Sequence, residues 1–346
     1  MVMTKARMTS GPGEPFVPTL IERRDVGPTD VLIEIAYAGL CHTDVSQARS
    51  ELGPAHYPLV PGHEIAGVVS AIGAEVRKVS VGNRVGVGCL VDSCRECLNC
   101  LSGQEQECTG RLVKTTNSIG PDGQPAHGGY SERIVVNQDF VLQIPDTIPL
   151  EQAAPLLCAG VTVYAPLCRW KAGPGTRVAI VGFGGLGHLA LKIAKAFGAQ
   201  VSVLDLSEDK HDDAMRLGAD EFFASTFPGP LAERPAGLDL IITTAPPPAS
   251  LDPWLEVLGV NGTLVNLSAS TRPLTFSPGS LMAGRRTITS SRIGGIAETQ
   301  EMLDFCGEHG IGAEVEVVSA DRIDEAFERM LAGDVKFRFV LDNATL

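Results

Sequence analysis

Positive charge is scarce in this sequence. Its 346 residues hold 28 Lys and Arg against 41 Asp and Glu, a formal net charge of −13. An acidic surface repels phosphate backbones and anionic lipid, which argues against nucleic-acid and membrane partners; its plainest effect is solubility. Residues Met1–Phe16 lack an apolar run that could form a signal-peptide core. The longest uncharged apolar stretch, 153–168, is too short to cross a bilayer, and Pro155 and Pro166 interrupt it. The expectation is a cytoplasmic protein. In that compartment nine cysteines read as metal ligands or inert core residues, not disulfides. Internal repeats and low-complexity segments are absent too.

What is present fits two domains, with 44% hydrophobic residues and abundant Gly. The first part reads as β-rich, with strand candidates at 31–38, 67–72 and 84–87 bounded by Gly or Pro. After about residue 150 strands and helices alternate. Apolar runs at 177–181, 201–204, 238–243, 262–267 and 286–290 read as strands, and 186–197 and 208–217 as helices. That alternation indicates an α/β, doubly wound parallel sheet. Residues 245–248 read as a turn, not a linker. The tail returns to helices from Ala297, with a last strand near 337–341.

Three groups of residues carry chemistry. Cys94, Cys97, Cys100 and Cys108 follow one another at spacings that let the backbone wrap a tetrahedral zinc. A closed four-thiolate shell makes that zinc structural; an iron–sulfur cluster is the rival for the same ligands. Cys41 and His63 offer a thiolate and an imidazole, which with a third protein ligand would leave zinc an open position. Spacing alone does not identify the third ligand. Cys158 stands where the β-rich part meets the alternating part, and a buried small hydrophobe explains it equally well. Gly182, Gly184, Gly185, Leu186 and Gly187 form a glycine-rich turn between a strand and a helix, the context a dinucleotide fingerprint requires. Asp205 follows 18 residues after Gly187, at the end of the next strand. A carboxylate there bonds the ribose hydroxyls of NAD and repels the 2′-phosphate of NADP.

The segment Gly62-His63-Glu64-Ile65-Ala66-Gly67, followed by Gly73 and Val76, resembles the signature of zinc-dependent medium-chain alcohol dehydrogenases. The cysteine lobe and glycine turn follow in that family's order. Residues 56–64, 154–164 and 301–306 resemble the cinnamyl alcohol dehydrogenase branch. The resemblance implies a GroES-like catalytic domain of residues 1–153 and 293–346, with a structural zinc lobe near 89–110. A Rossmann domain of residues 154–292 lies between. It also implies an oxidoreductase with two zinc ions, a nicotinamide cofactor, a small alcohol or aldehyde substrate, and a homodimer.

By position, Cys41, His63 and Cys158 match the catalytic zinc ligands. Glu64 matches a carboxylate that can approach the metal, and Asp44 the acid that orients the zinc histidine. Thr43 matches the hydroxyl that starts the proton relay. His42 and Thr162 match contacts to the pyrophosphate and nicotinamide. Gln47, Leu52 and Arg292 match positions of the substrate pocket.

Three features depart from the branch. Asp205 stands where small hydroxyl residues accompany NADP, so NAD is expected, although Lys210 nearby leaves NADP open. Ser46 stands where related enzymes often carry a relay histidine, so the proton leaves by water; a helix-cap or surface serine is the bland alternative. No Trp follows the cysteine lobe around 111–115, and Arg292 replaces a Phe. Arg292 either favours a substrate with an acceptor group or faces solvent or cofactor phosphate. Cys89, Cys168 and Cys306 read as inert core. Two other functions remain on this reading: reduction of a C=C or C=N bond, and a non-catalytic nucleotide sensor.

Overall fold

The computed structural model describes residues 2–232, 237–246, 248–268 and 272–346. Pro247, inside the expected proline turn, lies outside them. The chain divides into two compact units, Met1–Val161 with Gly294–Leu346, and Thr162–Ile293. Among the described residues no helix is long and apolar enough to cross a membrane.

In the first unit, strand Asp30–Gly39 is the axis of a seven-stranded sheet. Val31, Ile33 and Ile35 alternate into the core, as period-2 patterning requires. Strand Ile65–Ile72 runs antiparallel along one side, while Arg133–Asn137 and Arg338–Asp342 share the other. The register sets Ala38 opposite Ile65. The chain that leaves the sheet at Leu40–Cys41 therefore lies beside the chain that enters it at His63–Glu64, tied by Gly39 N–H to the Glu64 carbonyl at 2.9 Å. Phe16, Tyr130 and Phe327 meet edge to face, with centroids 5.3 to 6.3 Å apart, in the core next to this edge.

The second unit is a six-stranded parallel sheet. Its order is Glu221–Ala224, Gln200–Asp205, Arg177–Val181, Leu238–Thr243, Leu258–Asn266, Thr287–Ser290. The order reverses between Arg177–Val181 and Leu238–Thr243, the switch point where such sheets bind ligands. The fifth strand starts earlier than the apolar run at 262 suggests, because Leu258 pairs with Leu238 across a register shift. The expected helix at 208–217 is a 3-10 turn, Glu208–Lys210, followed by helix His211–Arg216. Ser207 N–H turns back to Asp205 there, at 3.2 Å, and bends the entry.

Candidate active site

Cys41, His63, Glu64 and Cys158 each bring one ligand atom within 4.8 Å of the others. None is more than 9% exposed. Cys41 and His63 arrive on the adjacent strand ends. Cys158 arrives on a buried turn, Ala154–Leu157, that presses against strand Arg84–Val87 and the residue after it. Only glycine admits that approach: a Cβ on Gly88 would stand 2.8 Å from the Leu157 carbonyl.

Asp44 organises the set from helix His42–Ala48. Its Oδ1 accepts from His63 Nδ1 at 2.9 Å and Gly62 N–H at 3.0 Å. Its Oδ2 accepts from Cys41 N–H at 3.0 Å and the Tyr130 hydroxyl at 3.4 Å. With Nδ1 so engaged, Nε2 is the His63 nitrogen left for a metal. Burial disfavours a charged imidazole, yet Asp44 outweighs it and lifts His63 well above its usual value. The hydrogen bond with Cys158 holds the Cys41 thiol well below its usual range, and Cys158 is pushed well up in return. Two thiols and an imidazole that compete for protons suit a soft divalent cation, and zinc fits them.

Glu64 is fully buried. Its Oε2 pairs with Arg338, while Oε1 has no partner among the described residues. Burial pushes its carboxyl up to about 7 against the pull of Arg338. An orphaned oxygen beside three metal donors fits a carboxylate that can approach a metal.

Thr43, Ser46 and Gln47 share one half-buried face of the same helix, and His42 is exposed. Gln47 Oε1 is buried without a partner among the described residues. Ser46 Oγ donates to the exposed carboxylate of Glu51 at 3.2 Å. Leu52 is half exposed. Cys89, expected as inert core, is half-buried, and hydrogen bonding to Cys158 is the main pull that lowers its thiol. Cys306 is buried, as expected, and Cys168 half-buried.

The second cluster, Cys94, Cys97, Cys100 and Cys108, also gathers within 4.8 Å. Sulfur pairs lie 3.4 Å apart for Cys108 and Cys94, 3.5 Å for Cys97 and Cys100, and 3.9 Å for Cys94 and Cys100. Backbone N–H groups at Cys100 and Thr109 hold the Cys97 thiol at about 5, and burial pushes Cys100 up to about 11. Four sulfurs in this arrangement fit a tetrahedral metal with no open position.

In the second unit, Gly187 packs so tightly that a Cβ would stand 2.0 Å from the Gly182 carbonyl. A Cβ on Gly184 would meet nothing within 4 Å. The glycine turn is thus closed behind and open in front, as a pyrophosphate cradle requires. Asp205 Oδ2 accepts from Phe183 N–H at 2.6 Å and from Lys210 Nζ at 3.1 Å. These residues fit a nicotinamide dinucleotide. Thr162 is buried on helix Ala159–Arg169, and Arg292 is exposed beyond strand Thr287–Ser290.

Sequence reading missed Arg338, Tyr130 and Glu51. Only Glu51, five residues after Ser46, had a local signal.

Comparison with known proteins agrees with this architecture. Residues 27–146 match the alcohol dehydrogenase GroES-like domain, and residues 185–308 the zinc-binding dehydrogenase domain. The chain is 52% identical over 334 residues to NADP-dependent alcohol dehydrogenase C 1 of Mycolicibacterium smegmatis, covering 96% of each chain. It is 47% identical over 341 residues to a probable cinnamyl alcohol dehydrogenase of Pinus taeda, covering 98% of this chain and 94% of that one. Among solved structures, a cinnamyl alcohol dehydrogenase of Sorghum bicolor matches with a TM-score of 0.94 at 41% identity, over 99% and 98% of the two chains. The CAD of Helicobacter pylori, solved with NADP(H), matches with a TM-score of 0.92 at 41% identity, over 99% of both. The chain belongs to the zinc-dependent medium-chain dehydrogenase family, in its cinnamyl alcohol dehydrogenase-like branch, and is an oxidoreductase of alcohols and aldehydes.

Proposed function

We propose that Cys41, His63 and Cys158 hold the reactive zinc and that NAD is the preferred cofactor. The convergence of those three donors from distant segments, with Asp44 bonded to His63, carries this reading. Zinc, when bound, polarises the substrate oxygen and lowers the alcohol's pKa, and the nicotinamide carries the hydride. The chain's own residues do the rest. Thr43 accepts the substrate hydroxyl's proton as it gives up its own towards the cofactor ribose, and with Ser46 at the far end of the relay the proton leaves by water. Asp44 fixes the His63 tautomer, and Glu64 supplies a carboxylate beside the donors. The turn from Gly182 to Gly187, with Gly184, Gly185 and Leu186, cradles the pyrophosphate, aided by His42, and Thr162 contacts the nicotinamide. Gln47, Leu52 and Arg292 face the substrate.

Asp205 bonds the ribose hydroxyls. Its charge opposes a 2′-phosphate, and Lys210, bound to it, is the residue that would serve NADP. The named relatives mark NADP as the alternative. Cys94, Cys97, Cys100 and Cys108 hold a second, structural zinc. A homodimer is supported by the open edge of the parallel sheet at Thr287–Ser290. The acidic composition argues against nucleic-acid partners, and cysteines that stand free of disulfides among the described residues support a cytoplasmic location.

The test is the zinc content per chain, followed by NADH and NADPH consumption with a panel of aldehydes. Two zinc ions with aldehyde-dependent NADH loss are expected. Turnover confined to an alkene or iminium substrate refutes the proposal.

A further inference from the structure

The turn Gly128–Ser131 is built as a brace. Arg23, a buried guanidinium, donates to the carbonyls of His127 at 2.6 Å, Gly128 at 2.9 Å and Arg133 at 3.0 Å, and to Ser131 Oγ at 2.7 Å. From its other side, Asn343 Nδ2 donates to the carbonyls of Gly129 at 2.7 Å and Ser131 at 2.8 Å. The turn itself is laced to the segment that ends at His63. Gly128 N–H bonds the Val60 carbonyl at 2.7 Å, Tyr130 N–H the Pro61 carbonyl at 3.0 Å, and Gly129 N–H the Gly62 carbonyl at 2.8 Å. Tyr130 is fully buried, with its ring fixed against Phe16 and Phe327. Its hydroxyl is delivered from that rigid side to Asp44 Oδ2.

We infer that Tyr130 is a positioning residue of the reactive site, which clamps the Asp44 carboxylate so that Oδ1 faces His63 Nδ1. The geometry is specific. Oδ2 is held by Tyr130 and Cys41 N–H, and Oδ1 is thereby left to Gly62 N–H and the imidazole. Without the hydroxyl, Oδ2 keeps only Cys41 N–H, and the broad, soft torsion about Cβ–Cγ is less restrained. The imidazole then loses its fixed orientation towards the metal, and partners of this kind typically alter metal affinity about 10–100-fold. The inference rests on the proposed zinc ligation by Cys41, His63 and Cys158.

The test uses the full-length, zinc-loaded protein and its Tyr130→Phe variant, which keeps the ring in the core. Zinc release to a chromogenic chelator is followed in time, together with the absorption spectrum after cobalt exchange. The expected result is about tenfold faster release of one zinc ion per chain, a changed cobalt spectrum, and unaltered release of the other ion. In an Asp44→Asn background the same Tyr130→Phe change should add little. Equal release from parent and variant overturns the inference and leaves the zinc proposal standing. So does an acceleration of the same size in the Asp44→Asn background, since Tyr130 would then act through general packing. A parent protein that binds zinc only at the four-cysteine lobe overturns both.

Discussion

Replacing Asp205 by Ser tests the cofactor assignment most directly. Asp205 ends strand Gln200–Asp205, is 8% exposed and faces the glycine turn through Phe183 N–H. On the proposed cofactor placement, a 2′-phosphate would stand roughly 5 Å from this carboxylate, within range of direct repulsion. Two unit charges at that distance repel by about 3 kcal/mol at an effective dielectric of about 20. Lys210, 3.1 Å from the carboxylate, cancels part of it in the parent. If half survives, about 1.5 kcal/mol, the penalty is roughly tenfold. Asp205→Ser removes the repulsion and also frees Lys210 to pair with the phosphate. The ratio of kcat/KM for NADPH to that for NADH should therefore rise about 10–100-fold. The substitution also leaves Phe183 N–H and Ser207 N–H short of an acceptor, costing about 1–3 kcal/mol. A thermal melt beside the kinetics separates this loss from the cofactor effect. A parent that already prefers NADPH, or a variant with an unchanged ratio, refutes the reasoning.

Other perturbations read other parts of the molecule. Arg338→Ala leaves Glu64 buried without a counter-charge and should destabilise the first unit by about 3–5 kcal/mol, measured by chemical denaturation. Cys100→Ala should lower the zinc content by one ion per chain, read by metal analysis, because Cys100 is one of four donors in a closed shell. Phe327→Ala opens a cavity beneath Phe16 and Tyr130 and should cost about 3–5 kcal/mol in thermal or denaturant unfolding. Asp252 accepts from Ser277 N–H and from the hydroxyls of Ser280, Ser277 and Ser250, which hold its carboxyl at about 2 instead of 3.8. Its folded pKa is depressed, so its contribution is present above the ordinary value and fades as pH falls towards about 2. Asp252→Asn should flatten the acid dependence of stability in that window, read from melts across pH.

Much of the fold was legible because it is written in short-range patterns. The apolar runs at 177–181, 238–243 and 286–290 fall within a residue of the strands formed there. The four-cysteine lobe and the glycine turn are also local. The reactive site was legible in part. Its three donors could be proposed from the signature at His63 and the resemblance around Cys158. The groups that support them could not, because they act across the chain. Arg338 meets Glu64 over 274 residues, and Tyr130 meets Asp44 over 86. Such pairs depend on sheet register, and register is set by the whole fold. Cys89 shows the same limit, because its apolar context says nothing about the turn that brings Cys158 beside it.

The two metal sites differ in who builds them. The lobe's sulfurs sit within fifteen residues of chain, and a metal there does work that a hydrophobic core does elsewhere. The donors at Cys41 and His63 are set by paired strands and by amide groups bonded to Asp44. A chelator should therefore act on them as on two different proteins. Stripping the lobe is expected to loosen its short loop, whereas the reactive site keeps the strand pairing and hydrogen bonds that set its donors. Exchange of its metal for another tetrahedral ion then reads how firmly the scaffold orients the donors.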